Sequence, residues 1–318
     1  MVDLQALLGD RRPFVAGHRG LLGRHLVEQL EMQGCSPLVK PKAELNLEDA
    51  GAVRRFFEAA RPGVVFLCAG LTGGIQENLR RPADFLHVNL AIQDAVFEAA
   101  RKSGTRYLVF YGSSCVYPRD ARQPIPESAL HTGPLEPSSA AYASAKLAGL
   151  AACEAYTRQE EGPQCIALIP NTMYGPGDHF SETAGHVLGA LVARFHRAKR
   201  EALQEVVLWG SGKPIREFIH ARDVARASLF ALANAQRLEN RPYNLGTGVE
   251  TSILELAQMV SGVSGYEGCI LWDASRPDGA TRKCLDSRDF KELGWSPAIP
   301  LLDGIQETCH WFAERSQS

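Results

Sequence analysis

A chain of 318 residues, 45% apolar and 22% charged, can bury a large core and falls outside the disordered and fibrous classes. Its net charge of -2, with both signs interspersed, excludes the basic field that nucleic-acid binding requires. The longest apolar runs, such as Val64 to Cys68, are far too short for a bilayer, so no membrane association is expected.

Met1 to Arg12 carries acidic residues and no signal-type apolar block, which points to a cytoplasmic protein. Pro13 to Ala16 reads as a short strand running into Gly17-His18-Arg19-Gly20-Leu21-Leu22-Gly23. The four-residue spacing of Leu22, Leu26 and Leu30 then predicts a helix ending near Gly34. Pro37 to Val39 is another short apolar segment, followed by a helix from Leu47 to Ala60 and a buried strand from Val64 to Cys68. A helix from Leu90 to Ala100, a strand from Tyr107 to Tyr111, an alanine-rich helix from Tyr142 to Tyr156 and a strand from Gln164 to Ile169 continue the alternation. Strands separated by crossovers of this length pair in parallel, so the fold class is α/β, a Rossmann-type doubly wound parallel sheet. Right-handed crossovers put its ligand crevice at the carboxyl ends of the strands.

Beyond about residue 170 the rhythm breaks. Tyr174 to His179 is dense in Gly, Pro and His, and a helix is expected from His186 to about Arg200. Val206 to Trp209, Glu217 to Ile219, Ser252 to Val263 and Cys269 to Trp272 mix short strands and helices. The expected division is a nucleotide-binding domain over 1–170 and a smaller α/β C-terminal substrate lobe over 171–213 and 249–318. The segment of about 214–248 returns to the first domain through His220 to Ala233 and Tyr243 to Gly246.

Gly17, Gly20 and Gly23 follow the first strand and open the first helix. That spacing meets three needs of dinucleotide binding: a tight turn, close backbone approach to a diphosphate, and close helix–strand packing. The helix N-terminus adds N–H groups and partial positive charge for phosphates. An NAD-selecting carboxylate is expected about 20 residues on, but Val39-Lys40-Pro41-Lys42 holds none before Glu44. With Arg19, these cations suit a 2′-phosphate and predict NADP(H). Tyr142 and Lys146, four residues apart on a helix, share one face, separated by roughly 6 Å of rise. An ammonium beside a phenol is expected to lower the phenol's pKa, letting Tyr142 exchange a proton with a carbonyl oxygen near neutral pH. Gly112-Ser113-Ser114 lies just past a strand end, where a hydroxyl can bond the same oxygen. The eight cysteines form no C-x-x-C or His-clustered pattern, so no metal site is expected and all but Cys115 read as small buried residues.

These motifs resemble the short-chain dehydrogenase/reductase superfamily in its extended, nucleotide-sugar branch, and within it the GDP-L-fucose synthase family. The carrying segments are Ala16-Gly-His-Arg-Gly20, Glu44-Leu-Asn-Leu47, Gly73-Gly-Ile75, Gly112-Ser-Ser-Cys-Val-Tyr-Pro118 and Tyr142-x-x-x-Lys146. Tyr174-Gly-Pro176, Trp209-Gly-Ser-Gly212, Arg216-Glu-Phe218 and Pro277-Asp-Gly279 extend them along nearly the whole chain. The resemblance implies an NADPH-dependent oxidoreductase with epimerase activity that turns GDP-4-keto-6-deoxy-mannose into GDP-L-fucose. Its implied reductase triad is Ser113, Tyr142 and Lys146, with Cys115 and His186 as the acid/base pair for epimerisation; a thiol with cationic neighbours and an imidazole suit those roles.

The implied cofactor contacts are Gly17, His18, Arg19, Gly20, Leu21, Leu22, Gly23, Lys42, Asn46, Leu47, Ala69, Gly70, Tyr142, Lys146, Thr172, Met173 and His186. The implied substrate contacts are Ser114, Arg194, Trp209, Arg216 and Asp278; Trp209 as core and Arg216–Glu217 as a surface ion pair are the plainer readings. A homodimer through the helices Leu90 to Ala100 and Tyr142 to Tyr156 is implied as well. Two departures stand out. Pro170-Asn171-Thr172 exchanges the family's usual polar order, and Lys42 replaces an arginine, keeping charge but losing the fork. GDP-L-colitose synthases and GDP-heptose epimerase/reductases share the motifs, and a non-catalytic NADP-binding regulator is the reading from another class.

Overall fold

The computed structural model describes residues 7–182, 185–276 and 278–316. Pro277 of the Pro277-Asp278-Gly279 segment and the first six positions of the Met1 to Arg12 segment lie outside them. Four of the five strands of the main sheet are β1 (Pro13–Ala16), β2 (Val64–Leu67), β3 (Tyr107–Tyr111) and β4 (Gln164–Pro170). The fifth, β8 (Tyr243–Leu245), joins at the β4 edge, and all pairs are parallel. Pro37 to Val39 forms no strand; Leu38 makes one parallel bridge to Phe14. That bridge lies on the far side of β1 from β2, so the strand order reverses at β1, where an open α/β sheet places its ligand crevice.

Both faces of these strands are buried, as parallel sheets require. Val64 and Phe66 pack upward with Leu22, Leu26 and Leu30 of α1 (Leu21–Glu31), while Val65 and Leu67 pack downward with Val53 and Phe57 of α2 (Ala50–Ala60). The α2 helix begins at Ala50 rather than Leu47, because the Asp49 side chain accepts the Ala52 N–H and caps it there. A short α3 (Ile75–Arg80) precedes α4 (Pro82–Lys102), which is 21 residues long and starts eight positions before the expected Leu90. Pro82 suits the first turn of α4. Alanine-rich α5 (Ala140–Arg158) packs beside α4, with Phe97 and Tyr156 ring centroids 5.3 Å apart.

The second group of elements has its own core, built on Tyr174, Leu191, Phe195, Leu208, Phe218, Leu256 and Ile305. It contains β5 (Thr172–Tyr174), α6 (Val187–Arg200), β6 (Glu205–Trp209) and β7 (Ile215–His220). After α7 (Ala221–Ala233) and β8 come β9 (Glu250–Ser252), α8 (Ile253–Ser264), β10 (Cys269–Asp273), β11 (Arg282–Lys283), α9 (Arg288–Glu292) and α10 (Leu301–Ser316). Strand β7 pairs with β5, β9 and β11, and the chain enters the first core at Ile219 near the end of β7 and then through α7, whose Val224, Leu229 and Leu232 join the cluster of α1. Ser252 and Glu255 form a reciprocal capping box that starts α8 at the expected place.

Candidate active site

The glycine loop is set by close approach. Gly17 has φ +87°, and a Cβ there would stand 2.7 Å from the Ala69 backbone nitrogen; a Cβ on Gly23 would overlap the Gly17 carbonyl oxygen. Gly20 caps α1 without a side chain, and the first turn of α1 carries no acid. That surface suits a diphosphate: an exposed backbone turn at the positive end of an 11-residue helix. His18 is half-buried and its pKa lies below the ordinary value, through burial and then Arg19, with Glu44 opposing. Leu21 is half-buried and Leu22 belongs to the core.

The three expected cations are unequal. Lys40 pairs with Glu44 at 2.7 Å and Lys42 with Glu48 at 2.6 Å, whereas no ion pair of Arg19 occurs among the described residues. Asn46, exposed, accepts the Glu48 N–H, and Leu47 packs on the lower core. Ala69 and Gly70 lie just past β2 on a loop fastened by Asn89, a residue outside the helix expected from the sequence. Its side chain accepts the Leu71 N–H at 3.1 Å and donates to the Leu71 and Phe85 carbonyls. A Cβ on Gly70 would stand 2.6 Å from Asn89 Oδ1. The signal for Asn89 was a polar residue on the apolar side of α4, where 1% exposure demands partners.

Tyr142, Lys146, Ser113 and Cys115 come together. Lys146 Nζ donates to the Tyr111 carbonyl at 2.8 Å and lies 5.8 Å from the Tyr142 ring centroid. The phenol lies close enough to Ser113 for its hydroxyl to favour the charged form, and the Phe85 ring stands edge-on to it at 6.2 Å. Ser113 Oγ also accepts the Cys115 N–H at 3.3 Å, opening the turn Ser114–Val116 in which Ser114 is buried.

The phenol is not the acidic one that the Tyr142–Lys146 spacing predicts. Burial, with Cys115 adding to it, holds Tyr142 above the ordinary tyrosine value; Ser113 opposes, and Lys146 is not among the causes. The ammonium is directed at the Tyr111 carbonyl, and burial lowers its own pKa to about 8. Desolvation therefore outweighs the neighbouring charge.

Asn171, where the polar order is exchanged, donates to buried Glu217 and to the Lys283 carbonyl, and its Oδ1 accepts the Thr172 N–H. The exchange thus serves a joint between β5, β7 and β11. Thr172 and Met173 are half-buried on β5. Glu217 accepts the Gly248 and Leu285 N–H groups, so no Arg216–Glu217 surface pair forms.

Arg216, near Cys115 and Asp278, donates to the Ile215 and Ala280 carbonyls. Asp278 accepts the Ser211 N–H at 2.8 Å and its hydroxyl at 2.7 Å. Arg194 is bound to Glu182 at 3.4 Å and to the Val207 carbonyl. Trp209 is 53% exposed with Arg276 stacked at 5.1 Å, so it is not core. His186 caps α6 and is exposed.

A doubly wound sheet with a glycine-loop dinucleotide surface and a Ser–Tyr–Lys group beside it defines an NADP-dependent oxidoreductase with epimerase relatives. The profile of the NAD dependent epimerase/dehydratase family matches residues 14–246, and the chain belongs to that family. It is similar to GDP-L-fucose synthase 1 of Arabidopsis thaliana, 47% identical over 300 residues covering 94% of this chain and 92% of that protein. GDP-L-fucose synthase of Escherichia coli K12 is 44% identical over 315 residues, covering 96% and 98%. Among solved structures, a GDP-mannoheptose C4 reductase from Campylobacter jejuni with NADP bound superposes with a TM-score of 0.86 at 34% identity, covering 95% and 98%. No helix among the described residues is long and apolar enough to cross a membrane, and no group of three or more His, Cys, Asp or Glu there is placed to hold a metal.

Proposed function

We propose that the protein converts GDP-4-keto-6-deoxy-D-mannose to GDP-L-fucose by epimerisation at C3 and C5 and reduction of the C4 ketone with NADPH. The carrying observation is the convergence of Ser113, Tyr142, Lys146 and Cys115, in a chain 44% and 47% identical to two proteins of that name. NADPH, when bound, supplies the hydride that C4 receives. Gly17, Gly20 and Gly23 with the start of α1 hold its diphosphate, Arg19 and Lys42 its 2′-phosphate, and Ala69, Gly70, Thr172 and Met173 border the rest.

A phenol kept protonated by burial is an acid, and Tyr142 in that state delivers a proton to the C4 oxygen, aligned by Ser113. Lys146, with its pKa lowered to about 8, is placed to return a proton or steady the phenolate that forms. Cys115 and His186 remove and return protons at the carbons that the ketone acidifies. Ser114, Arg194, Trp209, Arg216 and Asp278 hold the GDP-sugar, with Trp209 offering an exposed aromatic face.

The proposed division into a nucleotide-binding domain and a substrate lobe rests on the separate core around Tyr174, Phe195 and Leu256, although Leu285, Phe290 and Trp295 pack with the main sheet. A homodimer is proposed through α4 and α5, where Leu86, Leu90, Ala148, Ala151 and Ala155 face outward. A cytoplasmic location suits eight unbridged cysteines.

The test is purified protein with NADPH and GDP-4-keto-6-deoxy-mannose, its 3-deoxy analogue or a GDP-keto-heptose, with products identified by NMR. GDP-L-fucose is the expected product, and Cys115→Ser should abolish solvent-deuterium uptake into the keto-sugar. Absence of NADPH oxidation with every substrate, or faster turnover of the 3-deoxy sugar or the heptose, overturns the assignment.

A further inference from the structure

The Gly73-Gly74-Ile75 segment has no part in the steps above. Gly73 and Gly74 close the loop between β2 and α3, and both their carbonyls accept from the Asn78 carboxamide at 3.0 Å. Two positions before Gly73 the same loop is fastened at Leu71 by Asn89. Gly73 is not among the glycines of positive φ, so its backbone does not require glycine. Contact does: a Cβ there would stand 3.1 Å from Phe85 Cζ and 3.2 Å from Glu77 Cβ.

Phe85 is 1% exposed near the start of α4, and Asn89 donates to its carbonyl at 2.7 Å. The ring that Gly73 touches also meets the Tyr142 ring, with centroids 6.2 Å apart and planes at 87°. Aromatic pairs favour that edge-to-face arrangement. Lys146 Nζ lies 5.8 Å from the centre of the phenol ring but donates to the Tyr111 carbonyl, so its hydrogen bond does not hold the phenol. Burial is the largest influence on the phenol, and a buried phenylalanine against it excludes water there.

We infer that Phe85 is a positioning residue for Tyr142: set between the Gly73 loop and the phenol ring, it holds the phenol at the angle from which its proton reaches the C4 oxygen. The inference rests on Tyr142 being the proton donor of the reduction. It gives Gly73 a task at one remove, because the loop can rest on Phe85 only where residue 73 lacks a side chain. Proton delivery to oxygen then depends on Phe85, and proton exchange at carbon, assigned to Cys115 and His186, does not.

Two rates separate these steps. NADPH oxidation with GDP-4-keto-6-deoxy-mannose reports reduction, and solvent-deuterium uptake into that sugar with oxidised NADP bound reports exchange at carbon. Phe85→Leu, which keeps apolar bulk and loses the ring, should lower NADPH oxidation about tenfold, as a small misplacement of a reacting group does. Uptake and the KM for NADPH should stay within about twofold. Unchanged NADPH oxidation, an equal loss of oxidation and uptake, or a loss carried by the KM for NADPH overturns the inference. Gly73→Ala, which removes nothing from the core and makes the Phe85 ring give way, replaces the leucine variant if that one does not fold. It should lower oxidation about threefold with the same split, and the same results overturn the inference. A wild type that neither oxidises NADPH nor exchanges deuterium refutes the proposed function, and the inference falls with it; a working wild type with any of the three adverse results refutes the inference alone.

Discussion

In the glycine loop the chain approaches itself so closely that only hydrogen fits at Gly17 and Gly23, and the dinucleotide surface is made of backbone. Across the site, the expected sugar-binding side chains already hold protein groups: Arg194 holds Glu182, Asp278 holds Ser211, and Arg216 holds the Ala280 carbonyl. The first arrangement is fixed by sterics before any ligand arrives. The second is fixed by polar pairs, which a GDP-sugar must join or replace. A change to the backbone-built side should therefore be all-or-none, and a change to the side-chain-built side graded.

The strongest way to break that contrast is Gly23→Ala. The added methyl overlaps the Gly17 carbonyl, and overpacking of this kind costs about 1–3 kcal/mol. NADPH affinity measured by fluorescence titration should fall about tenfold or more; wild-type affinity would show that the loop yields more easily than its packing implies.

The seam between the two cores gives the next effect. His25 of α1 and His220 at the start of α7 are both buried, with rings 5.5 Å apart. His220 Nδ1 accepts the Arg222 N–H, so the neutral ring carries its proton on Nε2. Burial, then His25 and Arg222, lower its pKa to about 3, and burial lowers that of His25 too. The unfolded chain takes up these protons first, so their contribution is complete above about pH 6.5 and shrinks as pH falls toward 3. The slope is about 1.4 kcal/mol per pH unit for His220. Urea unfolding at pH 7.5 and 5.5 should show the loss, and His220→Asn, which keeps an N-cap acceptor, should show a shallower one. Equal slopes in the two proteins would count against the seam as the source.

The smallest effect sharpens the cofactor side itself. Arg19→Ala should raise the KM for NADPH about tenfold and leave that for NADH unchanged, the loss expected for a charge-assisted bond to phosphate. Lys42→Ala should change it less than about threefold, since Lys42 is an exposed partner of Glu48. Equal losses from both would mean that Glu48 releases the lysine when the phosphate binds.

Much of the frame was legible. The strands at Pro13, Val64, Tyr107 and Gln164 lie where apolar runs meet turn residues, and a strand buried on both faces is one long apolar word. The start of α4 was not legible, because Leu86 and Leu90 face outward and blur the helical period there. Phe85 and Asn89, which shape the surroundings of Tyr142 and Gly70, were hidden with it. Helix α10 went unread, although Leu301, Ile305, Cys309 and Phe312 fall at helical spacing.

By itself the sequence settled two things: that glycine alone fits where α1 packs on its own entry loop, and that Tyr142 and Lys146 share a helix face. Both follow from short-range geometry, which needs only neighbours in the chain. Tertiary structure decided how readily the Tyr142 phenol gives up its proton and which carboxylates hold Lys42 and Arg194. It also set Phe85 against both Gly73 and the Tyr142 ring. Desolvation and ion pairing depend on groups brought together from distant segments, and no spacing along the chain encodes their sum.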